Sequence, residues 1–234
     1  MGLGRNLIKK LLAIIALTSL TGCLPEAPVL PIKIAMNVIP ENETLLIAEQ
    51  LNYFPRSDVH IVEAPDSVDL MPILRSGAVD GVVISLESVL DWSAKGLDLT
   101  IVAVVNGTNK HSFPQKQNID SNRRIDRESY NVIAIESNYL AKHSARVAQL
   151  VTGWQRVIRK AQSGSSFEEL PNNYTLPQGR YNFTSYNGNK KLLIIPSAVS
   201  LHAVIRARVQ DEANTPKIDG QFFMKFAKDA EKDL

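Results

Sequence analysis

One cysteine, Cys23, occurs in 234 residues, so no disulfide can form within the chain and no Cys-x-x-Cys metal or redox motif can be built. Histidine is nearly as scarce: His60, His111, His143 and His202 are scattered, and no H-x-x-x-H or H-E-x-x-H spacing sets two of them on one helix face for a metal ion. No G-x-S-x-G nucleophile elbow, phosphate-binding loop or G-x-G-x-x-G fingerprint occurs, so the sequence offers no catalytic residues and no cofactor site. Neither sign of charge dominates, with 26 Lys and Arg against 24 Asp and Glu, and no basic stretch is interleaved with aromatics, which argues against nucleic acid as a partner.

What is present begins at the N-terminus. Arg5, Lys9 and Lys10 form a positive head, and Leu11 to Leu20 form an apolar run of signal-peptide length, too short to span a bilayer. The run ends in Leu20-Thr21-Gly22-Cys23, which resembles the lipobox of bacterial lipoproteins. The resemblance implies cleavage before Cys23 and acylation of its thiol, so that the membrane is a partner through the lipid on Cys23. The location it implies is the bacterial envelope, facing the periplasm; Leu24, which is not acidic, favours the outer membrane. Loss of residues 1–22 would lower 26 basic residues to 23 against an unchanged 24 acidic ones, so the basic character of the whole chain belongs to the leader. Residues 23–31 carry three prolines and read as a stiff tether.

From residue 32 onward the pattern is that of a single α/β domain, long enough for a proper core. Strands are expected at Ile32–Met36, Val59–Val62, Gly81–Ser85, Leu99–Val105 and Asn131–Ile135. Helices are expected at Glu43–Leu51, Val68–Ser76, Glu87–Ala94 and Ser137–Gln162, then at Val199–Val209 and Gly220–Lys228. Gly77 reads as a helix stop, and Pro72 fits its helix only in the first turn. Strands alternating with short helices predict an open, mainly parallel sheet. A polar stretch at 106–130 reads as a long loop, Pro171–Gly188 as aromatic and irregular, and Leu192–Ile195 as a short apolar segment.

Four pieces in order carry a family likeness: strand Ile32–Met36, the run Ala48-Glu49-Gln50-Leu51-Asn52-Tyr53-Phe54, the run Leu74-Arg75-Ser76-Gly77-Ala78-Val79-Asp80-Gly81, and Gly96-Leu97-Asp98-Leu99 entering an apolar strand. The stretch Asn131–Lys160 adds a returning strand and a long helix. Together they resemble the first lobe of periplasmic solute-binding proteins of the nitrate/sulfonate/taurine and thiamine-precursor type. That family sets about a hundred residues, a complete second lobe, where only Asn106 to Tyr130 stand here. The resemblance therefore implies a single-lobe member: an open mixed sheet flanked by helices, with the second lobe absent.

Ligand in such folds sits at the C-terminal ends of the strands. Those ends present Asn37, Glu41 and Asn42 after the first strand, Ser85 and Glu87 after the third, and Asn106 after the fourth. Amides and hydroxyls suit a small polar solute, and the two glutamates favour a cation or amine. Each residue also has a plain alternative as a helix cap or loop residue. Asp66 and Asp69 read as partners of a helix dipole, and Trp154 as core rather than a stacking platform. The cluster Tyr174, Tyr181, Phe183 and Tyr186 reads as cover for the face a second lobe would bury. Three functions follow. The first is a non-enzymatic lipoprotein that recognises a solute weakly or docks an envelope protein. The second is a working receptor for an ABC permease, closing its cleft as a homodimer or with the polar loop. The third is a structural remnant at the envelope.

Overall fold

The computed structural model describes residues 30–109, 128–164, 167, 170, 183–195, 200–208 and 215–227. The leader, Cys23, the tether as far as Val29, His111, Tyr174 and Tyr181 lie outside the described residues. The elements in chain order are β1 (Ile32–Asn37), a 3-10 turn (Pro40–Asn42), α1 (Glu43–Gln50), β2 (Val59–Ala64), α2 (Met71–Arg75) and β3 (Gly81–Ser85). They continue with α3 (Leu86–Ala94), β4 (Leu99–Asn109), β5 (Glu128–Glu136), α4 (Ser137–Gln162), α5 (Tyr186–Leu193), α6 (Leu201–Arg208), β6 (Lys217–Ile218) and α7 (Gly220–Ala227).

The described strands form one six-stranded sheet in the order β2-β1-β3-β5-β4-β6. Strand β1 runs parallel to β2 and β3, β4 runs parallel to β6, and β5 lies antiparallel between β3 and β4, so the sheet is mainly parallel, as expected, and mixed by one reversed strand. The reason is connectivity. Each βα unit up to β4 returns the chain to the same end of the sheet, whereas β5 pairs with β4 in the opposite direction, from Glu128 opposite Asn109 to Glu136 opposite Leu99. The polar stretch is also shorter than its composition suggests. Strand β4 runs on to Asn109 and β5 starts at Glu128, with Gly107 opposite Tyr130 and Asn109 opposite Glu128. A backbone ladder, which needs no apolar side chains, carries these polar residues.

Local chemistry explains the first half. Pro72 occupies the first turn of α2, where its missing N–H costs nothing. Gly77 follows α2 at φ 71°, a conformation that a side chain resists. Strand β3 and the Leu99–Val105 part of β4 are almost wholly apolar and buried, as expected of strands covered on both faces. Helix α4 buries Leu140, Val147, Leu150, Val151, Trp154, Val157 and Ile158 along one stripe. Fully buried Trp154 gives its indole N–H to Thr44 Oγ1 at 3.0 Å, tying α4 to α1. The turn after α1 packs onto α4 because residue 153 is glycine: a Cβ there would stand 2.5 Å from Phe54 Cδ1 and 2.8 Å from Tyr53 O. His143 breaks the regular helix near the start of α4, at φ −130° and ψ 35°.

The second half holds elements that local pattern does not announce. Helix α5 starts at Tyr186 inside the stretch expected to be irregular, with Ser185 Oγ accepting Gly188 N at 3.0 Å as its cap. Within it, fully buried Asn189 does the work of a strand residue. Its Oδ1 accepts Val104 N at 2.7 Å and its Nδ2 donates to Val104 O at 3.0 Å. The outer margin of β4 is thus occupied by β6 at Thr100 and Ile101, by Asn189 at Val104, and by a bridge from Phe183 to Asn106. On the opposite margin, Glu49 Oε1 accepts the N–H of Ile61 in β2 at 3.1 Å.

Candidate functional site

The C-terminal ends of β1, β3 and β4 carry every candidate ligand residue read from the sequence, and each has a definite place. Asn37 ends β1 and donates from Nδ2 to Pro65 O at 2.8 Å and Val68 O at 3.1 Å, stapling the strand end to the loop after β2. Glu41 lies in the 3-10 turn, and its side chain is outside the described residues. Asn42 closes that turn and is almost wholly buried; its Nδ2 donates to Asn37 O at 3.1 Å, while its Oδ1 has no hydrogen-bond partner. The turn packs against β4. Ser85 ends β3 and caps α3, with its Oγ accepting Ser88 N at 3.2 Å and lying 2.9 Å from Ser88 Oγ. Glu87, in the first turn of α3, is half exposed and accepts from Arg208 Nη1 of α6 at 2.7 Å. Asn106 lies in β4 and is buried.

Register joins three of these positions into one feature. Ser85 stands opposite Asn131 of β5, and Asn131 stands opposite Asn106 of β4. Residues opposed in an antiparallel ladder share a face, so Ser85, Asn131 and Asn106 form a polar row across three strands. Asn37 and Asn42 form a second pair joined by a hydrogen bond. Glu87 is drawn away to α6. Sequence reading passed over Asn131; its signal was an amide opening an otherwise apolar strand. It passed over Arg208 as well, because nothing local to α6 marks it as the partner of Glu87.

At the other end of the sheet, an aspartate precedes three successive parallel strands: Asp58 before β2, Asp80 before β3 and Asp98 before β4. Asp58 O accepts Ile32 N at 2.9 Å, and Asp80 Oδ2 accepts Lys33 N at 2.8 Å. Burial pushes the Asp80 carboxyl above the ordinary range, against the Lys33 hydrogen bond and the charges of Lys33, His143 and Arg146. Asp98 is held below that range, chiefly by hydrogen bonds from Lys217 at 2.9 Å and then Ser137 at 2.8 Å. Burial, reinforced by the Asp80 charge, raises the Tyr139 phenol, while a hydrogen bond with Arg146 opposes it. Among the described residues no group of three or more His, Cys, Asp or Glu could hold a metal ion, and no helix is long and apolar enough to cross a membrane.

No family model matches this chain, and no curated protein does. Solved structures do. A protein of Bordetella bronchiseptica aligns at TM-score 0.62 and 12% identity, over 87% of this chain and 99% of its own. The ligand-binding component of an ABC-type import system from Staphylococcus aureus, solved with zinc bound, aligns at TM-score 0.52 and 12% identity, over 85% of this chain and 99% of its own. At this identity the likeness shows the fold: a mixed α/β sheet flanked by helices, of the periplasmic-binding-protein kind.

Proposed function

We propose that this chain is a non-enzymatic binding lipoprotein of the bacterial envelope, held at the periplasmic face of a membrane by lipid on Cys23. In this reading it is one lobe of the solute-binding fold, and its C-terminal strand edge recognises a small polar solute or docks an envelope protein. Support for the single lobe is the length of chain between β4 and β5: residues 110–127 are too few for a second domain.

The observation that carries the binding reading is the polar row Ser85–Asn131–Asn106 beside buried Asn42, whose Oδ1 is an acceptor without a partner. A buried acceptor left unsatisfied costs about 1–3 kcal/mol, so an incoming N–H or O–H donor would be favoured there. Amide and hydroxyl groups suit a solute bearing several polar atoms. Glu41 would add preference for an amine, whereas Glu87 contributes less, because Arg208 already neutralises it. The second reading, a working receptor for an ABC permease, draws on the fold shared with the Staphylococcus aureus import component.

The test is a thermal-shift screen of the full chain against amines, pyrimidines, sulfonates, amino acids and anions. A ligand at about a hundred times its Kd stabilises a protein by roughly 2.7 kcal/mol, a visible shift. The expected hit is a donor-rich solute whose shift is lost in Asn131→Ala. A flat screen on folded protein refutes solute recognition and leaves the docked envelope protein; a hit that Asn131→Ala leaves intact refutes this edge as the site.

A further inference from the structure

We propose that the cavity at the break in α4 is a second binding site, which takes a small oxyanion of the phosphate or sulfate type. The cavity has a volume of about 320 Å³, within the range of small-molecule sites. It lies at the N-terminal end of the sheet, away from the polar row. Asp58, on its wall, immediately precedes β2, and Arg146 and His143 act on Asp80, which immediately precedes β3.

The chemistry of the wall is cationic and rich in donors. Lys142 and Arg146 contribute charge and only donors; His143, Ser144 and Gln149 add further hydrogen-bonding groups, and Asp58 is the single acid. The guanidinium is held in place rather than swinging free. Its Nε stands 3.9 Å from Asp58 Oδ1, Tyr139 hydrogen-bonds to it, and its charge reaches Asp80. A fixed guanidinium beside an exposed ammonium suits an anion with several oxygens better than a neutral solute. Asp58, whose Oδ1 lies 3.9 Å from Arg146 Nε, is the acid on the wall that opposes an incoming anion.

The experiment is isothermal titration of inorganic phosphate into the full chain in mild detergent at low ionic strength, repeated with dihexanoyl phosphatidic acid. Saturable binding is expected, weakened about tenfold in Lys142→Gln, which is exposed and safe for folding. Asp58→Asn is expected to tighten binding severalfold, a gain that misfolding cannot imitate. Lys191→Gln on α5 and Asn131→Ala at the opposite edge should leave it unchanged, which separates this site from the solute site. Binding of phosphate assigns a free oxyanion as sufficient, and binding of the lipid alone assigns a headgroup. Binding of neither, or equal affinity in Lys142→Gln, Asp58→Asn and the unaltered chain, overturns the proposal.

Discussion

The two ends of one sheet are built from different chemistry. The C-terminal end is lined mostly by amides and hydroxyls, beside the Glu87–Arg208 ion pair, and most of them are spent on the protein itself: Asn37 on the loop after β2, Ser85 on the start of α3. The N-terminal end is charged, with an aspartate before three successive strands and Lys33, Arg146 and Lys217 set against them. Hydrogen-bonding groups without net charge can be buried at modest cost once paired, whereas charges need partners or water. The difference teaches that the strand-end rule locates the polar end of such a sheet but says nothing of where its fixed charges gather.

Breaking the interior support of one end should show whether the two are independent. Asn189→Ala strips two hydrogen bonds from buried Val104 and is expected to cost about 3 kcal/mol in chemical denaturation. In hydrogen exchange the loss should fall on β4 near Asn106 and spare Asp58 and Asp80; uniform loss of protection would break the comparison. At the charged end, Asp80→Ala should cost about 2 kcal/mol by leaving Lys33 N without its acceptor, whereas Asp80→Asn should cost much less at neutral pH, because it keeps an acceptor and removes a half-buried charge. Ser85→Ala removes only a cap and should cost about 1 kcal/mol.

The smallest effect is the sharpest in sign. Asp80 holds its proton more tightly in the folded than in the unfolded chain, so its contribution to stability falls as pH rises from the ordinary aspartate range through its raised value. Asp98 holds its proton less tightly when folded, so its contribution is present above the ordinary range and is lost as pH falls through its lowered value. Urea midpoints between about pH 3 and pH 7 should therefore show less acid lability in Asp98→Asn and more in Asp80→Asn. The Asp98 effect should stay under about 1 kcal/mol, because its pair with Lys217 is exposed. Parallel shifts in the two variants would contradict this assignment.

Most of the first half was legible in the sequence for a physical reason: each device acts within a few residues. Pro72 in a first turn, Gly77 after a helix, Ser85 as a cap and the apolar stripe of α4 are all local patterns. Strand β6 is two residues long and owes its identity to β4, more than a hundred positions earlier. Helix α5 contains Gly188 and two asparagines, weak helix formers, and is held by its cap and by Asn189 reaching across to Val104. The candidate site was legible in the same measure. Its strand ends were readable, but the pairing that sets Asn131 between Ser85 and Asn106, and the Arg208 that occupies Glu87, are long-range facts with no local trace.

The side chain of Asn189 has a consequence for life in a crowd. A chain tethered to a membrane, as proposed here, diffuses in two dimensions, where it meets its own kind far more often than a dissolved one does. Every bare strand margin is then an invitation to polymerise. One carboxamide, presenting the same donor and acceptor as a peptide group, answers the backbone of Val104 from within the molecule and leaves no rung at that position for a neighbour to grasp. The residue that looks least suited to the interior closes this stretch of β4 to pairing with a second copy.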